Sequence, residues 1–462
     1  MNDYINRPFI LVIFGITGDL SQRKLLPALY HLVKHRQLPE QMKIVGISRH
    51  HVPVSHVYEN LHQKIHGGDY DKAVIEQLHD ATEMLQVDLD DIADYERLLE
   101  NLRVMSQELG PGVSRLYYLS IPAQAFVNVV HHLGETRHHE PFEQDGERPR
   151  LLVEKPFGYN FASAETLVKA ADEHFGEQQT FRIDHYLAKE TAQNILTFRF
   201  QNPLFQTIWN TRHIESIQIV AYETIGIENR VTFYEQTGAL RDILQSHLMQ
   251  LLALITMEKP AALESHDIHK AKLRLLESID TISAEQVETH AVRGQYDSYK
   301  AEVNNPRSHV ETFARLHLTI DNEQWRGVNV SIETGKALHE KCTEIIVRFR
   351  ANKDAPGTNI LTFRVQPQEG ITLSLQAKRP GLSKETEMVK MDFDYERAFF
   401  GQTGDAYERV IIDAVRGDQS LFATAQEVLT SWRIVENVLK NWSESDHSLQ
   451  IYPVGSPASD IN

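Results

Sequence analysis

The sequence predicts an α/β domain with a doubly wound parallel sheet, followed by a larger α+β domain built on a mostly antiparallel sheet. Strand and helix patterns alternate through the first third of the chain, which is typical of a parallel sheet. In the last third, apolar and polar residues alternate with a period of two, which indicates an antiparallel sheet covered on one face. A chain of 462 residues is long enough for two or three such cores.

The elements of the first domain follow from the spacing of its apolar residues. Phe9–Phe14 is a continuous apolar run, which predicts a strand buried on both faces. Leu20–His35 has helical spacing, with Pro27 near the start of its main part or at a kink. The further predicted strands are Lys43–Ile47, Met84–Leu89, Arg115–Ser120 and Leu151–Glu154, and the further predicted helices are Ile92–Leu109 and Ala123–Leu133.

The second domain is predicted from alternating segments and two closing helices. The helical patterns cover Ala406–Val415 and Ala425–Trp442, and the polar tail after Ser443 is expected to fray. The predicted boundary lies near Phe175–Gln179, which gives domains of residues 1–177 and 178–462. The alternating segments are Leu316–Ile320, Val328–Ile332, Ile345–Phe349, Ile371–Leu375 and Val389–Phe393.

The net charge argues against a general affinity for nucleic acid. Lys and Arg total 47 and Asp and Glu total 64, which leaves a formal net charge of −17. Such a surface repels a phosphate backbone. Any anionic ligand must therefore be held by a local cluster of cations.

The cysteine content and the N-terminal segment predict a cytoplasmic protein. One cysteine, Cys342, can form neither an internal disulfide nor a cysteine-based zinc site, and we find no other arrangement that indicates a metal. The apolar run Phe9–Phe14 is too short to span a membrane, and no basic region precedes it as in a signal peptide. A reducing compartment is the expected location.

A glycine turn follows the first predicted strand. Gly15-Ile16-Thr17-Gly18-Asp19-Leu20 joins this strand to the first helix, where backbone amides can approach a pyrophosphate. The pattern predicts a dinucleotide site in a Rossmann-like domain, although it lacks the third glycine of the full fingerprint. The alternative is an ordinary strand-turn-helix connection with two glycines.

The end of the second strand indicates which dinucleotide binds. An acid there would bind a ribose hydroxyl and favour NAD, but Ser48 and Arg49 occupy the position. A guanidinium suits a 2′-phosphate, so we favour NADP over NAD; the alternative is a surface arginine. Asp88 and Leu89, after the third strand, are candidates for the adenine side or simply a strand end.

A lysine follows the fifth strand in Glu154-Lys155-Pro156-Phe157-Gly158. It would project into the crevice at the carboxyl ends of the strands, where ligands of such sheets bind. Lys155 is therefore a candidate to bridge cofactor and substrate, and a cis Pro156 would fix its direction. The alternative is a turn with an exposed lysine.

The densest segment is Arg182–Glu190, with the sequence RIDHYLAKE. We interpret Asp184 as a helix N-cap or as the partner of a catalytic histidine. His185, Tyr186 and Lys189 would then lie in the first helical turn, either solvated or as a phosphate cradle. Helical spacing would place His185 and Lys189 on one face.

Three later segments supply candidate groups for catalysis and ligand binding. His247, in the helix that begins near Gly238, becomes a general base only if a carboxylate orients its ring. Asp184 is the obvious partner, but sequence spacing does not show that the two meet. Four more candidates, each with a structural alternative as a cap, surface acid or solvated lysine, are Glu223, Asp242, Lys336 and Lys341.

Together these segments resemble the glucose-6-phosphate dehydrogenase family over essentially the whole chain. The run RIDHYLAKE is the most specific of them. The segments that carry the resemblance, in the family's order, are Gly15–Leu20, Glu154–Gly158, Arg182–Glu190, Glu223–Arg230, Gly238–His247, Val292–Tyr296, Gly335–Lys341 and Asp405–Arg409.

The resemblance implies roles for the matched positions. His247 would remove the proton of the anomeric hydroxyl, and Asp184 would orient it. His185, Tyr186, Lys189 and Lys341 would hold the 6-phosphate, and Lys155, Glu223, Asp242 and Lys336 would bind the sugar. The stretch for NADP would include Gly15, Thr17, Gly18, Asp19, Leu20 and Arg49. The resemblance also implies a homodimer or homotetramer and the first oxidative step of the pentose phosphate pathway.

Two positions depart from the pattern of the family, and two other functions are compatible with the sequence. Ala188 stands where the family usually has Gly, and Thr224-Ile225 varies a segment often written with Pro. Neither change removes a functional side chain. The rivals are another two-domain NAD(P)-dependent sugar oxidoreductase and a non-catalytic sugar-phosphate sensor.

Overall fold

The computed structural model describes residues 7–65, 70–137, 148–351, 357–399, 404–444 and 449–461. The chain forms two compact units. The first consists of Met1–Gly158, Ala162–Ala188 and Gly404–Ala425, and the second of Tyr159–Phe161, Lys189–Thr403 and Gln426–Asn462. Within the described ranges, no helix is both long and apolar enough to cross a membrane.

The described residues form sixteen strands in two sheets. They are β1 (Phe9–Phe14), β2 (Met42–Ser48), β3 (Thr82–Gln86), β4 (Ser114–Leu119), β5 (Arg150–Val153), β6 (Thr180–Ile183), β7 (Ile214–Tyr222), β8 (Ala291–Tyr296), β9 (Phe313–Leu318), β10 (Asn329–Gly335), β11 (Cys342–Phe349), β12 (Ile360–Gln366), β13 (Gly370–Lys378), β14 (Thr386–Asp394), β15 (Phe422–Ala423) and β16 (Leu449–Tyr452).

Helices connect most of these strands. The α-helices are α1 (Leu26–Lys34), α2 (Val54–Tyr58), α3 (Lys72–Asp80), α4 (Ile92–Leu109), α5 (Ala123–Arg137), α6 (Phe161–His174), α7 (Glu190–Gln201), α8 (Pro203–Gln206), α9 (Val231–Ala239), α10 (Met249–Thr256), α11 (Ser265–Glu277), α12 (Val287–His290), α13 (Tyr299–Glu302), α14 (Tyr395–Ala398), α15 (Ala406–Arg416) and α16 (Ala425–Glu444). Two π-helical segments, Ser21–Leu25 and Leu240–Leu248, lead directly into α1 and α10.

The first unit contains a seven-stranded sheet in the order β15-β6-β5-β4-β1-β2-β3. All its strand pairs are parallel except β15 with β6. Every residue of β1 is buried, since apolar clusters cover the sheet on both faces. The predicted doubly wound parallel sheet is therefore confirmed.

The first unit ends later than the sequence boundary and includes a distant segment. The expected division lay between residues 177 and 178, but β6 belongs to the first sheet and the unit continues to Ala188. Residues 404–425 also belong to it: α15 packs in its apolar core, and β15 pairs with β6. Local periodicity predicted α15 as a helix but carried no information on its partner.

The second unit contains a nine-stranded sheet in the order β14-β13-β12-β11-β7-β10-β9-β8-β16. It is mostly antiparallel, as predicted, with two parallel pairs: β7 with β10 and β8 with β16. The parallel pair β7 and β10 lies near the centre of the sheet. Consequently, the carboxyl ends of two adjacent strands meet at one edge of this sheet as well.

Two predictions about elements were wrong. The predicted strand Met84–Leu89 is β3, which begins at Thr82 and ends at Gln86, because the backbone turns after Val87. The tail after Ser443 was expected to fray, but Leu449–Tyr452 form β16 beside β8. Tyr452 explains this order, since its side chain is buried and its hydroxyl donates to the carbonyl of Lys336 at 2.7 Å.

Candidate active site

The carboxyl ends of the parallel strands in the first unit bring together the segments that the sequence singled out. The glycine turn follows β1, Arg49 follows β2, Lys155 follows β5 and Asp184 follows β6. Because these strands are parallel neighbours or near neighbours, all four segments lie along one edge of the sheet. Ligands of such sheets bind at this edge.

The glycine turn has the compact geometry that a dinucleotide requires. Gly15 has a φ of 80°, and a methyl group added there would overlap the carbonyl oxygen of Ser120. The Gly18 N–H donates to the Gly15 carbonyl at 2.9 Å, and the Ser21 hydroxyl donates to the same oxygen at 3.0 Å. The turn therefore leads straight into the helix, and Thr17 and Asp19 are exposed beside it.

The neighbouring strand ends fit the remainder of a dinucleotide. Arg49 is exposed one residue after β2, the strand adjacent to β1, so its guanidinium is available to a 2′-phosphate. Asp88 is exposed and Leu89 half-buried, two and three residues after β3. Asp88 also accepts the N–H of Asp90 at 3.1 Å, which is a structural role compatible with a place at the rim.

Lys155 lies beside the half-buried carboxylate of Glu154. The Lys155–Pro156 bond is cis, as the sequence suggested. The preceding residue, Glu154, accepts a hydrogen bond from the Tyr118 hydroxyl, and Tyr407 also bonds this carboxylate. Burial raises the pKa of Glu154 to about 7, against the opposing effects of Tyr118 and Lys155. The Glu154 carboxylate is thus bonded by two neutral tyrosine hydroxyls in addition to the charge of the adjacent Lys155.

Asp184 caps a turn and not a helix. Its carboxylate accepts the N–H of Tyr186 at 3.0 Å, and its carbonyl accepts the N–H of Leu187, also at 3.0 Å. The expected helical first turn at residues 185–189 is therefore wrong, because this local turn satisfies the backbone and the helix begins only at Glu190. The side chains of Asp184 and Tyr186 are buried, and the His185 ring stacks on Tyr407 with centroids 6.3 Å apart.

In the second unit, three candidate residues occupy one edge of the sheet. Glu223 follows β7 and Lys336 follows β10, and these parallel strands hydrogen-bond to each other. The ammonium of Lys336, which is 5% exposed, is ion-paired with the carboxylate of Glu223. Lys341 is exposed directly before β11, whose residue Cys342 pairs with Tyr222, the neighbour of Glu223.

Asp242 and His247 lie on a helix that packs against β10 and β7. The helical backbone is interrupted at Gly238, which has a φ of 63°, and the helix then continues as Leu240–Leu248 and α10. Both side chains are buried, and Asp242 forms an ion pair with Arg230 at 3.6 Å. The predicted helix start at Gly238 is thus a kink within a longer helical stretch.

One tyrosine connects this helix to the strand edge. The ammonium of Lys336 lies 5.4 Å from the centroid of the Tyr234 ring, which favours a cation–π interaction. Burial raises the pKa of Tyr234, and the charge of Asp242 raises it further. Lys336 and Asp242 therefore share one neighbour and belong to the same site.

Lys189 is held by a carboxylate far away in the sequence. It is the N-cap residue of α7, and its ammonium lies 3.8 Å from Glu369, between β12 and β13. Glu369 also accepts the N–H of Thr191 in the first turn of α7 at 2.8 Å. An anion at the Lys189 ammonium would have to share it with this carboxylate.

A buried charge network supports α10, the helix that continues from His247. Lys272 on α11 donates to Glu427 on α16 at 2.9 Å and to Gln250 on α10 at 3.0 Å. His269 lies 3.1 Å from the same carboxylate, and both Lys272 and Glu427 are fully buried. Burial alone would raise the pKa of Glu427, but the Lys272 and His269 charges outweigh it and lower the pKa to about 2.

Sequence reasoning missed the supporting residues, because their partners are distant in the chain. Glu369 and Lys189 are separated by 180 positions, and no pattern near either one indicates the other. Tyr407 lies in a segment that carried only the family resemblance, and the one local signal beside it is the N-cap Asp405 of α15. Asp184 belongs to the first unit and His247 to the second, and their pairing stays a prediction.

Comparison with known proteins gives matches over nearly the whole chain. The family model for glucose-6-phosphate dehydrogenase, NAD binding domain, matches residues 12–194, and that for glucose-6-phosphate dehydrogenase, C-terminal domain, matches residues 196–460. Glucose-6-phosphate 1-dehydrogenase of Chlamydia muridarum is 39% identical, with 97% of this chain and 93% of that protein covered.

Two solved structures are similar in fold and sequence. One, glucose-6-phosphate dehydrogenase in complex with its substrate glucose-6-phosphate, has a TM-score of 0.91 and 31% identity, with 98% of this chain and 96% of that chain covered. The other, glucose-6-phosphate 1-dehydrogenase from Mycobacterium avium, has a TM-score of 0.81 and 30% identity, with 97% and 95% covered.

Proposed function

Since the chain belongs to the glucose-6-phosphate dehydrogenase family, we propose that it oxidises β-D-glucose 6-phosphate to 6-phospho-D-glucono-1,5-lactone with NADP as hydride acceptor. This is the first step of the oxidative pentose phosphate pathway. The observation that carries the proposal is the group of functional side chains in the second unit: buried His247 and Asp242 on one helix, beside the Glu223–Lys336 ion pair.

In the proposed mechanism His247 is the general base. It takes the proton of the anomeric hydroxyl as the C1–H bond breaks and a C1=O bond forms. Asp184 is proposed to orient the imidazole and to stabilise the imidazolium. A base of this kind contributes about 10²–10⁴-fold to the rate. Burial of both side chains is consistent with these roles, because a low-dielectric setting strengthens the interaction of a carboxylate with an imidazolium.

The substrate contacts divide between phosphate and sugar. We assign the 6-phosphate to His185, Tyr186, Lys189 and Lys341. The hydroxyls of the sugar are assigned to Lys155, Glu223, Asp242 and Lys336, of which two carboxylates accept and two ammonium groups donate. The phosphate anchor would fix the orientation of C1, and alignment of this kind accounts for a large share of enzymatic rate enhancement.

The cofactor residues lie in the first unit. Gly15, Thr17, Gly18, Asp19 and Leu20 would hold the pyrophosphate, as the tight turn at Gly15 permits. The other assignments are Arg49 to the 2′-phosphate, Asp88 and Leu89 to the adenine side, and Lys155 to the nicotinamide side. NADP, when bound, supplies the hydride acceptor.

An absorbance assay at 340 nm tests this function directly. We expect NADPH formation with glucose 6-phosphate and NADP, and much slower turnover with glucose. Faster turnover with unphosphorylated sugar would instead support a wider sugar oxidoreductase. Binding of the sugar phosphate without any absorbance change would support a sensor. NAD in place of NADP, in the same assay, measures the cofactor preference.

We further propose a homodimer or homotetramer located in the cytoplasm. One face of the second sheet is an open depression lined by residues such as His317, Ser331 and Glu344, which offers a surface for a second copy. Light scattering after size exclusion tests this, and a monomeric mass would contradict it. The lone Cys342, whose pKa burial raises to about 12, is consistent with a reducing compartment. Cell fractionation tests the location.

A further inference from the structure

The helix that carries Asp242 and His247 begins against a buried carboxylate. Gly238 separates α9 from Leu240–Leu248, with φ 63° and ψ −178°. A methyl group added at Gly238 would overlap the carboxylate of Glu311. The glutamate therefore fills the space that a side chain at this kink would need, and the kink and the carboxylate are fitted to each other.

Glu311 makes two hydrogen bonds to the start of this helix. Its Oε1 accepts the N–H of Leu240 at 3.0 Å, and its backbone carbonyl accepts the N–H of Ala239 at 2.9 Å. The first N–H groups of a helix have no partner within the helix, and a negative charge is favourable there. Glu311, which lies just before β9, accepts two of these N–H groups, those of Ala239 and Leu240.

The surroundings of the Glu311 carboxylate fix its position. Its side chain is buried, and burial raises its pKa, while the Arg241 charge and the Leu240 amide oppose this rise. Arg241 is itself held, because its guanidinium donates to the carbonyl of Tyr159 at 3.0 Å. A buried, hydrogen-bonded group of this kind is costly to leave unpaired, so it specifies one arrangement.

The next residue, Thr312, connects to the other part of the candidate site. Its carbonyl accepts the N–H of Lys336 at 2.9 Å, and its hydroxyl accepts the N–H of Tyr296 at 2.9 Å. That hydroxyl also bonds the Tyr452 hydroxyl at 2.8 Å, which donates to the Lys336 carbonyl. Residues 311 and 312 thus hold both the helix with His247 and the strand end with Lys336.

We propose that Glu311 is a positioning residue for sugar oxidation, which fixes the start of Leu240–Leu248 and so the placement of Asp242 and His247 relative to Lys336. The proposal rests on the function proposed above. Glu311 itself need not touch the substrate. A shift of about 1 Å in a catalytic group can cost about 10²-fold in rate, so loss of this clamp should reduce kcat well beyond its effect on substrate binding.

The test compares three substitutions at this position by steady-state kinetics. Glu311→Ala removes the acceptor, Glu311→Gln keeps an oxygen at nearly the same place, and Glu311→Asp keeps the charge but withdraws it by one methylene. We expect kcat to fall about 10–100-fold for Glu311→Ala and to recover largely in Glu311→Gln. The acidic limb of the kcat/KM pH profile should also move in Glu311→Ala, since it reports the base.

Glu235→Gln is the matched control. Glu235 lies on α9 in the same unit and accepts three hydrogen bonds, from Tyr299, Asn305 and Ser308, none of which belongs to Leu240–Leu248. It should leave kcat within about threefold of the wild type, because the amide oxygen can still accept hydrogen bonds and none of the donors lies on Leu240–Leu248. Protection against thermal unfolding by glucose 6-phosphate confirms that each variant is folded and binds.

The outcomes separate this inference from the proposed function. If the unmodified chain does not reduce NADP with glucose 6-phosphate, the proposed function fails. If it does, but folded Glu311→Ala keeps the kcat and pH profile of Glu235→Gln, the positioning role fails. Should Glu311→Ala not fold, the remaining pair decides: the inference requires Glu311→Gln to be faster than Glu311→Asp, and the reverse order overturns it.

Discussion

The two units place their candidate groups at the same kind of position but hold them by different interactions. In both, functional side chains follow the carboxyl ends of neighbouring parallel strands. In the first unit, neutral donors hold the carboxylates: a backbone N–H for Asp184 and tyrosine hydroxyls for Glu154. In the second unit, opposite charges hold them: Glu223 with Lys336, Asp242 with Arg230, and Glu369 with Lys189.

The difference affects how the individual carboxylates Glu154 and Glu427 respond to pH and to mutation. At Glu154 desolvation outweighs the Tyr118 hydrogen bond and the Lys155 charge and raises the pKa to about 7, so the charge of this carboxylate depends on pH. At Glu427 the charges of Lys272 and His269 lower the pKa of a buried carboxylate, which stays charged. Removing one partner of such a pair leaves the other buried and uncompensated, which is the more costly change.

The largest effect is expected at the proposed base. His247→Asn should reduce kcat by about 10²–10⁴-fold while glucose 6-phosphate still protects the protein against thermal unfolding, because proton removal is lost but binding is kept. Kinetics at 340 nm measure this change. His266→Asn, at an exposed position on α11 of the same unit, is the control and should keep its activity. Equal losses in both variants would place the base elsewhere.

The buried charge network should give the next largest change. Glu427→Gln leaves Lys272 without its charged partner and should lower the free energy of unfolding of the second unit by about 3–5 kcal/mol. Hydrogen exchange at amides of α10 and α16 measures this loss. Asp321→Asn breaks an exposed pair with Arg326 and should change the exchange little. A similar response to both substitutions would remove the distinction between buried and exposed pairs.

Glu154 in the first unit should change the stability of the protein with pH in the opposite direction from Glu427. The folded-state pKa of Glu154 is raised from 4.5 to about 7, so its neutral form is favoured by folding. The contribution of Glu154 to the free energy of unfolding is therefore fully present below pH 4.5. It is lost as the pH rises to about 7, and the loss amounts to up to about 3 kcal/mol. Urea unfolding across this window measures the slope. Glu154→Gln should flatten it, and an unchanged slope would assign the effect to another group.

A moderate effect is expected at the proposed phosphate site. Lys189→Ala should raise the KM for glucose 6-phosphate by about 10–150-fold, the value of one charge-assisted hydrogen bond, with a smaller change in kcat. Initial rates over a range of sugar phosphate measure it. Lys390→Ala removes an exposed lysine of β14 and serves as the control. If both variants share the wild-type KM, Lys189 does not bind the phosphate.

The smallest effect is expected at the cofactor. Arg49→Ala should reduce the preference for NADP over NAD by about tenfold, because an exposed guanidinium contributes one charge-assisted contact to the 2′-phosphate. The ratio of kcat/KM for the two cofactors measures this preference. Arg103→Ala, on α4 of the same unit, should leave the ratio unchanged. A constant ratio in Arg49→Ala would remove the argument from the end of β2.

The elements of the first unit were predictable wherever one local pattern decided the structure. The all-apolar run of β1 and the helix Ile92–Leu109 match their predicted bounds. Residues 185–189 were mispredicted as helix, because Asp184 in front of helix-forming residues is typical of an N-cap. In the structure the same aspartate closes a tighter turn.

Contacts between distant segments could not be read from the sequence. The central strand β7 and the strand β12 were not predicted, although Leu361, Phe363 and Val365 of β12 alternate with polar residues. The pairing of Lys189 with Glu369 depends on where the connection between β12 and β13 packs against α7, which periodicity does not encode. The same limit applies to Glu311, whose importance is visible only where its carboxylate fills the space at Gly238.

The return of residues 404–425 to the first sheet has a consequence for biosynthesis. A ribosome finishes β6 early but reaches α15 only after more than two hundred further residues. Until then the nascent N-terminal portion lacks part of its apolar covering and the partner of its edge strand β6. Incomplete chains with uncovered edges are prone to aggregate. We therefore expect chaperones to engage this protein during translation, and a truncation before residue 404 to be poorly soluble.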